Sequence, residues 1–178
     1  MQSAINAVSP GGKVVVPAGS CSWSGGLSIS GISLVGAGRA TSGTVITAGA
    51  VTMTKHATFV TRVSGLRFTG TDRHVTVGGS PTARPFVIDN NYLYTNGGNG
   101  SSSLLGISVN GGVVHHSEFV STPTGADTFN IPTSEDWSQP ATFGNADTTG
   151  ERNIYIQDNT FTNFLGGRFV IRHNTYFD

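Results

Sequence analysis

Two adjacent histidines, His115 and His116, fall in step with acids and bases elsewhere in the chain. Four segments share one order of residues: VIDNNYL (87–93), VVHHSEF (113–119), YIQDNTF (155–161) and VIRHNTY (170–176). Each runs through two β-favouring residues, two polar residues, Asn or a substitute, one free position, and an apolar or aromatic residue. Aligned, the third position holds Asp89, His115, Gln157 and Arg172, and the fourth holds Asn90, His116, Asp158 and His173. If each copy is one layer of a stacked sheet, a step is about 4.8 Å, and His116, Asp158 and His173 face one solvent patch. An imidazole takes and gives protons near neutrality, and a carboxylate beside it supplies the complementary group. Arg172 supplies a fork for a sugar carboxylate, with Asp89 and His115 alongside as substrate contacts. The same set could hold a divalent metal, whose identity the residues leave open. It would also serve as a solvated ladder in which His and Asp satisfy one another.

A second group of candidates sits in the segment 121–153, rich in Thr, Pro, Gly and Asp. Glu135, Asp136 and Trp137 are consecutive there, with Asp127, Asp147, Glu151 and Arg152 around them. An indole stacks on a sugar face, and neighbouring carboxylates bind Ca²⁺ or work as acid and base. Trp137 could equally anchor the segment against the body of the protein.

These residues need a scaffold that repeats. RVSGLRF (62–68) is a weaker copy of the pattern, and ISGISL (29–34) an earlier one. The fifth position holds Leu66, Asn91, Ser117, Asn159 and Asn174, at successive intervals of 25, 26, 42 and 15 residues. A recurrence near 25 with strand patterning and Gly-rich breaks predicts a β-solenoid, one coil per copy. Stacked Asn side chains would then bond along the column as an amide ladder. The 42-residue interval predicts a long inserted loop over 121–153, and long loops are disproportionately functional. The 15-residue interval is short for three strands and their turns.

Composition agrees with strands. Gly, Ser, Thr and Asn together make 78 of the 178 residues, and charged residues only 11%. Such a chain stays disordered unless it has a core, which 17 Val and 10 Ile against 7 Leu supply. That β-branched excess favours strands and excludes a helical bundle or coiled coil. Ten basic and ten acidic residues cancel, which argues against a nucleic acid or an acidic membrane as partner. No apolar run approaches the roughly 20 residues of a membrane span. Cys21 is the one cysteine, so no internal disulfide forms, and the expectation is a buried small hydrophobe. The TxT triplets at 52–54, 69–71 and 160–162 are too irregular for a flat ice-binding array. GGNG (97–100) precedes no helix and makes no phosphate cradle.

The start of the chain, AINAVSPGGKVVVPAGSCSWSGGLSISGISLVGAG (4–38), resembles the first coils of right-handed parallel β-helix proteins of the pectate-lyase-like superfamily. Their opening elements correspond here to a capping helix over 4–9, a strand ending in VPAG over 14–19, and I-x-L-x-G-x-G over 32–38. The resemblance implies an all-β fold: a right-handed parallel β-helix, or β-solenoid, with a short N-terminal capping helix. Residues 1–178 then form a single domain, short for this family and read as lacking C-terminal coils.

For function the resemblance implies an extracellular, carbohydrate-recognising protein, a polysaccharide lyase or a remnant of one, with Ca²⁺ as cofactor and a polysaccharide as partner. Localisation outside the cell rests on the resemblance alone, as no secretory signal is visible. The scaffold also carries non-catalytic modules, so the alternative is a structural or adhesive, tailspike-like element. The hydrolase signatures of the fold (NTD, DD, GHG, RIK) do not occur, and Lys13 and Lys55 are the only lysines. An uncapped C-terminal coil would expose strand edges and apolar core, which predicts self-association.

Overall fold

A computed structural model describes residues 1–70, 74–80, 82–95, 104–109, 111–121, 129–130, 154–162 and 175–176. A five-residue helix, α1 (Gln2–Asn6), leads into strands that recur in threes. The first triplet is β1 (Lys13–Val15), β2 (Gly19–Ser22) and β3 (Leu27–Ser30); the second is β4 (Ser33–Val35), β5 (Thr44–Ala48) and β6 (Val51–Thr54). The third is β7 (Thr61–Ser64), β8 (Leu66–Phe68) and β9 (Val75–Gly78). There follow β10 (Phe86–Asp89), β11 (Tyr92–Thr95) and β12 (Leu105–Ile107), then β13 (Gly112–His115), β14 (Glu118–Ser121) and β15 (Phe129–Asn130). Last come β16 (Ile154–Gln157), β17 (Thr160–Thr162) and β18 (Thr175–Tyr176).

Each strand pairs in parallel with its counterpart one triplet on, giving three sheets: β1-β4-β7-β10-β13-β16-β18, β2-β5-β8-β11-β14-β17 and β3-β6-β9-β12-β15. The chain is therefore a parallel β-solenoid, and the fold expected from the sequence is the fold observed. Strands of three or four residues suffice because each contributes one or two side chains inward and the next coil continues the column.

The core is those columns. On the first sheet Val14, Leu34, Val63, Ile88, Val114 and Ile156 lie in register, all buried. On the second, Cys21, Ile46, Phe68, Leu93, Phe119 and Phe161 form one stack, with the last two rings 5.3 Å apart and nearly parallel. Cys21 is half-buried at the end of this stack, and burial pushes its thiol pKa up. The third sheet supplies two columns: Leu27, Val51, Val75 and Leu105, then Ile29, Met53, Val77 and Ile107. Like residues face like residues, as the 25-residue recurrence requires.

The capping helix lies slightly earlier than 4–9, because Pro10 disfavours helical backbone at Ser9. It buries Ile5 and reaches the end of the third sheet. There Gln2 Oε1 accepts from the Ser28 amide (2.9 Å) and Gln2 Nε2 donates to the Ser28 carbonyl (3.0 Å). One glutamine thus occupies both hydrogen-bonding groups of a residue on the exposed edge of β3.

Two expectations need correction. Among the described residues the column of Asn residues is not an amide ladder. Asn91 Oδ1 accepts from the Leu66 amide (3.0 Å) and its Nδ2 donates to the Val63 carbonyl (3.0 Å), so the side chain binds the backbone of the preceding coil. Asn159 does the same to the Ser117 amide and the Val114 carbonyl, each 2.8 Å away. Ser117 interrupts the column between them and accepts from the Asn91 amide at 3.1 Å. Also, VIRHNTY does not follow YIQDNTF at 15 residues: β18 sets Thr175 opposite Ile154, 21 positions on. Fifteen residues cannot complete a circuit of three sheets.

The segment 121–153 is more than an insertion, since β15 within it completes the third sheet beside β12. Glu135, Asp136 and Trp137 lie outside the described residues, as do Asn174, Arg172 and His173.

Candidate functional site

The repeat seen in the sequence proves to be a corner. Its first three residues end a strand of the first sheet, the fourth and fifth turn, and the last two begin a strand of the second sheet. The turn demands one residue in left-handed backbone. Gly65 fills that place in the third coil (φ 68°), followed by Asn90 (54°), His116 (50°) and Asp158 (55°). Gly adopts this conformation freely, and Asn, Asp and His are the side chains most often found in it. The next residue points inward and secures the turn below, as Asn91 and Asn159 do.

This geometry brings His116 and Asp158 together on adjacent coils. His116 Nε2 lies 3.8 Å from Asp158 Oδ2, with both side chains 63% exposed. His115, one position earlier on β13, turns its ring edge to face against that of His116, centroids 4.9 Å apart. The two Nδ1 atoms are 2.7 Å from each other. His115 is level with Gln157 on one side and Asp89 on the other.

Asp89 has a different role from the substrate contact expected of it. Its carboxylate receives both Nε and Nη2 of Arg62, each at 2.7 Å, and the Ser64 hydroxyl at 2.9 Å. Burial alone would raise its pKa. The Arg62 and Ser64 hydrogen bonds, with the charges of Arg62 and His115, outweigh burial and hold it below the usual carboxylate range. The Arg62 guanidinium pKa is raised in turn, chiefly by its bonds to Asp89. A carboxylate 6% exposed and engaged by a bidentate fork holds two coils together.

Four residues join the corner that were not singled out from the sequence. Arg39, in the turn between β4 and β5, donates from Nη1 to the His116 carbonyl at 2.7 Å. Arg67 donates to the Arg39 carbonyl (3.3 Å) and lays its guanidinium 3.6 Å above the Tyr92 ring. Glu118 is level with Tyr92 on the outer face of the second sheet. Arg67, Tyr92 and Glu118 share the sixth position of the repeat, so the pattern contained the signal for them. Arg39 had none, being 77 residues from its partner.

What the corner can do follows from these groups. It offers an exposed acid and imidazole for proton traffic, two guanidinium groups, and an aromatic ring at the rim of a rigid sheet. It does not offer a calcium cage: among the described residues no three His, Cys, Asp or Glu gather around one point. Ca²⁺ takes six to eight oxygens, and the imidazole nitrogens beside Asp158 are the wrong donors. Two clefts of about 300 and 330 Å³ lie at the N-terminal end, one beside α1 and β3 and one at the turn between β1 and β2. Among the described residues no helix is long and apolar enough to cross a membrane. Comparison with family profiles, with curated proteins and with solved structures yields no match, so the functional reading rests on the chain's own geometry.

Proposed function

We propose that the chain recognises a carbohydrate polymer along the corner between its first and second sheets. The observation that carries this reading is the His116–Asp158 pair, exposed on successive coils with Arg39 pinned beside it and the Arg67–Tyr92 stack adjoining. A parallel solenoid presents such groups at a fixed step of about 4.8 Å, so an extended polymer can lie across several coils at once. Sugars are held by this mixture: hydroxyls by imidazole and carboxylate, ring faces by Tyr, acidic groups by Arg.

The resemblance to the pectate-lyase-like superfamily adds the finer form of the proposal: a secreted polysaccharide lyase, or a remnant of one. His116 and Asp158 would then stand among its catalytic groups, while Glu135, Asp136 and Trp137 extend the sugar contacts; Arg172 and His173 lose their place in this column with the register of β18. The test is a panel of acidic and neutral polysaccharides, with and without Ca²⁺, read by binding and by ultraviolet absorbance of unsaturated products. Binding to one polymer, lost on joint substitution of His116 and Asp158, supports the site. Binding that survives the double substitution rejects it, and absorbance that never rises removes the lyase.

A second reading has its own support. Asp89, Asn91 and Asn159 are spent on holding coils together, and β2 (GSCS) is the terminal strand of its sheet with mostly exposed residues. A rigid module that associates end to end through its terminal strands needs nothing more. Size exclusion and light scattering distinguish it: a species above 18.5 kDa at all concentrations favours the scaffold, and a monomer removes it.

A further inference from the structure

The two histidines of the corner are not equivalent, and their contacts distinguish their ring nitrogens. Two neutral imidazoles with Nδ1 atoms 2.7 Å apart share one proton, so one Nδ1 donates and the other accepts. Asp158 biases the direction. Its carboxylate is 3.8 Å from His116 Nε2 and favours a proton on that nitrogen. A neutral ring protonated at Nε2 has a bare Nδ1, so His116 Nδ1 is the acceptor. His115 Nδ1 must then carry the shared proton, and its Nε2 keeps a lone pair.

The surroundings support this order. Arg39 binds the His116 carbonyl, and the left-handed backbone of His116 (φ 50°) fixes where its ring starts from. Asp89 is the other carboxylate level with His115, and its oxygens are engaged by Arg62 and Ser64, which leaves it a poor competitor for a proton on His115. Gln157, on the far side, carries no charge.

We infer that His115, oriented through His116 by Asp158, is the proton-accepting group of the corner, its Nε2 receiving a hydrogen bond from a hydroxyl of the bound sugar. The ligand class rests on the carbohydrate reading above, while the wiring of the histidines does not. It makes His115 a contact of the substrate beside His116 and Asp158, which also orient its ring.

Two measurements separate these parts. Two-bond ¹H–¹⁵N correlation on protein labelled at histidine, without ligand and near pH 8 where an ordinary imidazole is neutral, reads each tautomer directly. The expected spectrum has His115 protonated on Nδ1 and His116 on Nε2, with Asp158→Asn converting both rings to mixtures. His115 protonated on Nε2 in the unmodified protein overturns the inference whatever the protein binds. On the polysaccharide that the unmodified protein binds best, His115→Ala and His115→Phe should each weaken binding roughly fivefold, the worth of one hydrogen bond. Unchanged affinity in both folded variants overturns the hydroxyl contact. A panel without any binder sinks the carbohydrate reading and the ligand with it, and the spectrum still judges the wiring.

Discussion

Asn91 is wholly buried, and its side-chain amide serves a backbone amide and a carbonyl of the coil below it. Removing it leaves both groups dry and unpaired, and an unsatisfied buried group costs about 1–3 kcal/mol. Asn91→Ala should therefore destabilise the protein by about 3 kcal/mol in urea denaturation, whereas Asn90→Gly, at the left-handed position beside it, should change stability little. Equal losses in the two variants would mean that the corner depends on backbone conformation rather than on the amide. Asp89 makes a different prediction, about pH. Its pKa is lowered in the folded state, so its contribution is complete above the unfolded value of about 3.9 and disappears as pH falls through the folded one. Stability of the unmodified protein should drop on acidification below about pH 4, and Asp89→Asn, already weaker at pH 6, should lose less over the same range. Parallel pH curves for the two proteins would show that the Arg62 pair is not the source of the acid sensitivity.

A strand of three or four residues is meaningful here only through its neighbours above and below, and Gly112 illustrates the point. A Cβ on Gly112 would run into the ring of Phe86, its partner one coil earlier in the first sheet. Overpacking of this kind typically costs 1–3 kcal/mol. Gly112→Ala should lower stability by about 2 kcal/mol, and Phe86→Leu in the same chain should recover part of it. Additive effects in the double variant would place the strain elsewhere. The same dependence between coils explains what could be read from the sequence. The recurring VIDNNYL-like segment was visible because its corner needs a left-handed residue, an inward polar residue and flanking strands, three demands within seven positions. The strands of the third sheet, such as β9 and β12, carry no such corner and leave only short apolar runs. Asn91 and Asn159 were recognised as structural, but spacing cannot say that their amides bind backbone rather than each other. Position by position the pattern aligned His116 with Asp158 correctly, because strand register preserves sequence phase from coil to coil. It aligned Asp89 with His115 too, yet Arg62 lies on another strand of the sheet, and pairing across strands determines whether a carboxylate is free. Arg39 shows the limit most plainly, since nothing local to it anticipates a bond to the His116 carbonyl.

In the whole molecule, stability passes from coil to coil. Every strand bonds only to the equivalent strands above and below, so the chain behaves as a one-dimensional stack whose ends open more readily than its middle. At the N-terminal end α1 packs on β3 and binds Ser28 through Gln2, while β2, the end strand of the second sheet, is largely exposed. Native-state hydrogen exchange should accordingly find the slowest amides in β7, β8, β10 and β11, with β2 exchanging faster than β3 although both belong to the first coil. Deleting residues 1–9 should erase that difference, because the Ser28 amide and carbonyl lose Gln2 and the core loses Ile5. The newly bare edge of β3 should also draw the shortened protein into larger species on size exclusion as concentration rises, since an unpaired strand edge is a template for pairing. Uniform exchange across all coils would instead mean that the solenoid opens as one cooperative unit. The helix would then be a minor contact rather than the cover of an end.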